Sequence, residues 1–247
     1  IKAIEKAKKT GNDFYFCDND YLIKDSLYYV EESRVELLEK WTGRYYEKYQ
    51  QRGIGRGRGF MKSDYITRIT KNKFFQNELY KCDLTPFDKK RIEKRKKAAT
   101  NMLHDWKKDG DYILVCPSSD LLHKNMNAEN WLDETVAKLK KYTDREIKIR
   151  IKPNLKEKHL PFDTEVYNAH ACITFCSKCA IDSVIMGIPS FCDSRSMAAP
   201  VSSTDLSEIE NPFYADNREK WIETLLLNQF TIGEIVGGKA FDWLIRQ

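Results

Sequence analysis

Residues 171–192 read ACITFCSKCAIDSVIMGIPSFC. An apolar run (Ala171–Phe175) is followed by a polar turn, a short helical stretch and a second apolar run ending at Cys192. Gly187 stands where a helix C′ residue is wanted, and Pro189 prevents the helix from continuing. Buried strands joined through helices make a parallel sheet with covered faces, so this stretch commits the surrounding chain to an α/β layer structure.

The same grammar extends over the second half of the chain. Tyr112–Cys116 is an apolar strand ending in the hydroxyl-rich turn Pro117-Ser-Ser-Asp120. Trp131, Leu132, Thr135, Val136, Leu139 and Tyr142 fall at helical spacing. Residues 146–152 read as a further strand running into Pro153. Asp216-Asn-Arg-Glu219 and Thr231-Ile-Gly-Glu234 have the form of capping boxes, the second opening a last helix. Ahead of Asp109-Gly110 the grammar is looser. Residues 1–10 look like the end of a helix, Phe14–Cys17 and Tyr65–Thr70 like strands, and 31–51 and 86–108 like charged helices. The segment QRGIGRGRGF at 51–60 alternates four glycines with three arginines and is expected to be irregular. No βαβ pattern surrounds those glycines, so they are not a dinucleotide fingerprint. A lobe boundary is expected near Asp109-Gly110, giving a front lobe 1–109 and a back lobe 110–247.

Charge divides the chain at the same place. Residues 1–110 carry 26 Lys+Arg against 17 Asp+Glu, a net +9, whereas the remainder carries 16 against 20, a net −4. A basic front lobe suits a polyanionic partner, although lysines that merely solvate helix faces give the same count. The seven cysteines are an odd number, and Cys116, Cys172, Cys176 and Cys192 sit in or beside apolar runs. That is the pattern of reduced, packed thiols in a cytoplasmic protein, and the lone CxxC of Cys176 and Cys179 reads as packing. The four histidines (104, 123, 159, 170) fall in separate segments without HExxH spacing, so no metal or cofactor is expected. There is no run of 18 apolar residues and no GxSxG or P-loop motif. The first residue is Ile, which leaves the true N-terminus open.

Ligands of an open parallel sheet gather at the carboxyl ends of its strands. Ser118 and Ser119 follow one strand, Lys152 ends another, and Ser177 and Lys178 follow a third at a helix start. Hydroxyls, ammonium groups and helix N–H donors suit a phosphate or diphosphate. Asp182, one turn into that helix, is placed to meet a ribose or sugar hydroxyl. His123 and Lys124 follow the serine turn and would line the same cleft. In the front lobe, Asp18 and Asp20 follow a buried strand and are candidate general bases. Arg52, Arg56, Arg58, Lys62 and Arg68 are the candidate contacts to a nucleic-acid acceptor.

The run from Pro117-Ser-Ser through Lys152-Pro153 to Ser177, Asp182 and Gly187-Ile-Pro189 resembles the donor lobe of GT-B glycosyltransferases. The acid there is more often Glu than Asp. More narrowly, the chain resembles a group of bacteriophage and bacterial glycosyltransferase-like proteins. The resemblance lies in Asp18-Asn-Asp-Tyr21, in Tyr65–Asn72, and in the tail from Asp205-Leu-Ser-Glu-Ile-Glu-Asn-Pro-Phe-Tyr214 to Gln229–Ile235. The Arg-Gly segment is not part of that pattern.

The resemblance implies two Rossmann-like lobes with parallel sheets, the N-terminal one short by one or two βα units of about 30 residues. It implies a nucleotide sugar as donor substrate, bound in the back lobe. With the basic front lobe, the expected acceptor is a hydroxymethylated base in phage DNA, extruded from the duplex. A capsule or surface glycan is the alternative acceptor. A non-catalytic nucleic-acid-binding protein on a degenerate transferase fold is the alternative class.

Overall fold

The computed structural model describes residues 14–18, 28–31, 66–73, 75–98, 103–151 and 160–247. In chain order the elements are β1 (Phe14–Asp18), β2 (Tyr28–Glu31), β3 (Ile66–Lys71), α1 (Pro86–Ala98), β4 (Tyr112–Val115), α2 (Asp120–Asn125), α3 (Trp131–Leu139), β5 (Glu146–Ile149), α4 (Phe162–Val166), β6 (Ala169–Thr174), α5 (Cys179–Ile185), β7 (Ser190–Cys192), α6 (Arg218–Leu227), β8 (Gln229–Thr231), α7 (Ile232–Val236) and α8 (Lys239–Ile245). The chain forms two compact units, one of residues 1–76, 80–95 and 224–247, the other of residues 77–79 and 96–223. A single cut at 109/110 therefore misses the return of the last residues to the first unit.

The second unit is the α/β layer structure that the strand grammar requires. Its sheet has the order β5-β4-β6-β7, with every neighbour pair parallel. Alternate side chains of a strand face opposite layers. Ile113, Val115, Ala171, Ile173 and Phe191 point to one face with Leu139 and Ile209, where Trp131 and Leu132 of α3 pack on them. Leu114, Cys116 and Cys172 point to the other with Val166 of α4 and Ile188, against Cys179 of α5. Both faces being covered, β6 is buried at all six residues.

The edge of this unit explains why 86–108 is not one long helix. Helix α1 stops at Ala98. Beyond it, His104 N–H donates to Ile185 O (2.9 Å) and Lys107 N–H to Gly187 O (2.8 Å). The backbone of 103–110 is committed to the end of α5 and cannot also bond along its own axis. Gly187 adopts φ 77°, as expected of a C′ residue, and a Cβ there would lie 2.0 Å from Asp105 O. Gly110 is equally constrained by approach: a Cβ there would meet His170 N at 2.2 Å.

The first unit departs from the expected parallel lobe. Its sheet, ordered β2-β1-β3-β8, pairs antiparallel throughout. Strand β8 pairs with β3 in the register Ile66↔Thr231, Thr67↔Phe230, Arg68↔Gln229. The core of this unit gathers Ile69, Ile92, Leu227, Phe230, Phe241, Trp243 and Leu244. The capping box at Thr231 and Glu234 forms, but it opens a five-residue helix. A second helix follows after Gly238, which adopts φ 76°. Helix α6 begins at Arg218, two residues inside the capping box proposed at Asp216.

Candidate functional site

In the parallel unit β4 is the first strand, β5 joins it on one side, and β6 and β7 follow on the other. The strand order thus reverses between β4 and β6, the position at whose carboxyl edge open α/β sheets hold their ligands. The residues that leave this point are Cys116–Ser119 from β4 and Phe175–Lys178 from β6.

One hydrogen bond ties the two strand ends together: Cys176 N–H donates to Ser118 Oγ (3.1 Å). Ser119 Oγ accepts from Leu122 N–H (3.4 Å) and caps α2. Ser177 Oγ accepts from Cys179 N–H (3.3 Å), and Thr174 Oγ1 accepts from Ser177 N–H (3.3 Å). Each of the three serine oxygens is therefore oriented by a backbone donor, and the Ser177 side chain also engages the Cys179 thiol. This changes the chemistry expected of the turn. The N–H groups of Cys176, Ser177 and Cys179 are taken up by hydroxyls, and α5 is only seven residues long. Side-chain hydroxyls, rather than bare helix N–H groups, are what the edge presents to an anion.

A cation stands beside them that the sequence reading did not single out. Asp193, just after β7, donates its N–H to Phe175 O (3.0 Å). Its carboxylate holds Arg195 in a two-point grip, Nε to Oδ1 at 2.6 Å and Nη2 to Oδ2 at 3.1 Å. The Arg195 guanidinium lies 5.0 Å from the Phe175 ring centroid with its side chain 46% exposed. Burial pulls the Asp193 carboxyl up, but the Arg195 hydrogen bonds and charge outweigh it, leaving that carboxyl below its usual range. The grip raises the Arg195 pKa further. An Asp-x-Arg immediately after a buried strand was the signal available in the sequence.

Of the other expected donor contacts, Lys178 is exposed at the N-cap of α5. Asp182 lies half-buried in that helix. Burial pushes its carboxyl above the usual range, and Lys178 pulls it partly back. Lys152 lies outside the described residues. His123 is packed rather than lining an open cleft: its ring stacks on Phe175 (5.1 Å between centroids) and faces Trp131 (5.5 Å). His123 Nδ1 is 3.0 Å from Ala128 O, which assigns the proton to that nitrogen.

The thiols behind the edge do not act as a pair. The hydrogen bond with Cys172, together with burial, holds the Cys116 thiol far above its ordinary range, and the hydrogen bond with Cys116, together with burial, does the same for Cys179. Cys176 lies near Asp193 and Cys192 and is pushed up chiefly by burial. Burial raises the Cys192 thiol to about 11. Raised, enclosed thiols are unreactive, so both cysteines of the CxxC serve packing. Among the described residues no cluster of three His, Cys, Asp or Glu side chains could hold a metal ion. Nor is any helix among them long and apolar enough to cross a membrane.

The front-half candidates fare differently. Asp18 closes β1, opposite Arg68 of β3 in the register. Because that sheet is antiparallel, the carboxyl end of β1 is not part of a shared carboxyl edge, and the reason for expecting an active site there lapses. Arg68 is 6% exposed and its guanidinium carbon lies 5.4 Å from the Phe75 ring centroid. A buried arginine is not a surface contact for a polyanion, which removes Arg68 from the nucleic-acid set. Asp20, Arg52, Arg56, Arg58 and Lys62 lie outside the described residues. The basic helix α1 also loses a member: Arg91 is 5% exposed, gripped by Glu234 (Nε to Oε1, 2.8 Å) and Gln229 O (Nη2, 2.7 Å) over the Phe230 ring. Lys96 is occupied by Glu219 and Glu223 (3.1 and 3.0 Å).

Comparison with protein-family models, with curated proteins and with solved structures found no match, so the function of this edge has to be argued from its own chemistry.

Proposed function

We propose that this protein is a nucleotide-sugar-dependent glycosyltransferase, with the donor diphosphate held at the carboxyl edge of the parallel unit. The observation that carries this reading is the junction of β4 and β6. There the Ser118–Cys176 bond fixes two strand ends and brings the hydroxyls of Ser118, Ser119 and Ser177 to one edge. Arg195, stiffened by Asp193, supplies a fixed positive group near the same edge. Hydroxyl donors and a guanidinium stabilise the charge that grows on a departing nucleoside diphosphate. Lys178 adds a second cation, and Asp182 is the proposed partner of a donor hydroxyl.

The acceptor is proposed from the sequence alone. The net +9 of residues 1–110 favours DNA carrying a hydroxymethylated base.

The decisive measurement is calorimetric titration of the protein with uridine, guanosine and adenosine diphosphates and their glucose derivatives. Mass spectrometry would follow on hydroxymethylated duplex DNA incubated with each donor. Binding of at least one diphosphate is expected, weakened about tenfold or more by Ser177→Ala combined with Lys178→Ala. A sugar-sized mass increase on the DNA is also expected. If no nucleoside diphosphate binds, the enzyme reading is lost. If the DNA binds but gains no mass, a non-catalytic nucleic-acid-binding role takes its place.

A further inference from the structure

The parallel unit also holds a cavity built by the chain that follows β7. It has a volume of about 530 Å³ and is lined by Ala199, Ser202, Ser203, Thr204, Glu208, Asn211 and Phe213. Its construction follows from the chain path after β7. Ser203 bridges Phe191 in parallel, its N–H donating to Ser190 O (3.1 Å) and its C=O accepting from Cys192 N–H (3.0 Å). The chain then turns through the single 3-10 turn Leu206–Glu208, capped by Asp205 Oδ1 on Ser207 N–H (2.9 Å). The cavity lies beside this turn, past the last strand of the sheet.

We propose that this cavity binds an uncharged saccharide. Four features select that chemistry. Glu208 is the one ionisable group in the lining, so the site repels phosphates and other anions. The Glu208 carboxylate is already aimed: Ser203 Oγ donates to its Oε2 (2.8 Å), leaving Oε1 to accept from a ligand hydroxyl. Asn211 offers both donor and acceptor, and Thr204 an exposed hydroxyl, so a ligand that both gives and takes hydrogen bonds at several positions is matched. Phe213, 49% exposed, gives an apolar ring surface of the kind that the C–H face of a sugar covers. The volume suits a mono- or disaccharide.

This inference does not depend on the nucleotide reading of the serine edge, and its test keeps the two apart. The whole protein is titrated by saturation-transfer NMR and calorimetry with glucose, galactose, mannose, N-acetylglucosamine, maltose and cellobiose, and separately with uridine diphosphate. At least one saccharide is expected to bind. Glu208→Gln, Phe213→Ala and Thr204→Val are each expected to weaken it about tenfold while leaving diphosphate binding unchanged. Thr204 is exposed, so Thr204→Val keeps the test valid should either of the others fold poorly. The proposal is overturned if none of the six sugars binds, if binding survives all three substitutions, or if uridine diphosphate competes with the bound sugar.

Discussion

The two units of this chain bury charge in opposite ways. In the parallel unit an apolar cluster packs on each face of the sheet, and the ion pair of interest stays at the carboxyl edge, where Arg195 and Asp193 pair half in solvent. In the antiparallel unit the charges go inward. Arg91 is enclosed between Glu234, two carbonyl oxygens and the Phe230 ring, while Asp88 is enclosed with Arg246 (2.8 Å) and Thr85. An ion pair at an edge is available to a ligand. One enclosed among carbonyls and rings is out of a ligand's reach and contributes specificity of packing instead. Positive charge in a sequence is therefore not a measure of polyanion binding until its burial is known.

The sharpest way to break this contrast is Arg91→Ala. Removing one member of an enclosed pair strands Glu234 and two carbonyls, and a loss of about 3–5 kcal/mol is expected by urea denaturation. A loss under about 1 kcal/mol would show that the arginine is solvated like an edge residue. Gly187→Ala tests the parallel unit in turn. The left-handed φ costs a non-glycine residue about 1–2 kcal/mol, and the collision with Asp105 O adds to it. Thermal unfolding should therefore fall by several degrees. Thr231→Ala removes half of a capping box in the antiparallel unit, for about 1 kcal/mol.

The smallest expected effect is one of pH. Burial holds the His170 imidazole below its ordinary value of 6.5, its Nε2 lying 2.9 Å from Ile209 O. A folded-state value lower than the unfolded one means that the unfolded chain binds more protons in the interval between them. The stabilisation is complete above about pH 6.5 and is lost as pH falls through the lower, folded value. His170→Gln should flatten that part of the stability profile. An unchanged slope between pH 7 and pH 5 would assign it to other groups.

How much of this was legible in the sequence depends on how local each signal is. Strands β4 and β6, the helix stop at Gly187 and the capping box at Thr231 are each written within a few residues, and all appear. So does the gathering of Ser118, Ser119 and Ser177 at one edge, because it follows from parallel strands alone. The direction of β1 and β3 is not local. Their alternation says strand, and nothing within it says antiparallel, which is decided by pairing with a partner such as β8. The burial of Arg68 and Arg91 is hidden for the same reason: Glu234 stands 143 residues from Arg91. Helix α1 was read too long because its competitor, the backbone of Ile185–Gly187, is also far away in sequence. Asp193 and Arg195 were overlooked because a pair two residues apart looks like any polar turn until its neighbour Phe175 is known.

The placement of β8 has a consequence for how the chain comes into being. Every strand of the parallel sheet lies between residues 112 and 192, so that sheet is fully specified while the chain is still being made. The antiparallel sheet is not. Strand β3 gains its outer partner only when residues 229–231 arrive, after the whole parallel unit has been synthesised. Until then one side of β3 is an open edge, ready to pair with whatever strand it meets. Order of synthesis thus gives the parallel unit a head start, and makes the antiparallel sheet the slow, error-prone part of folding.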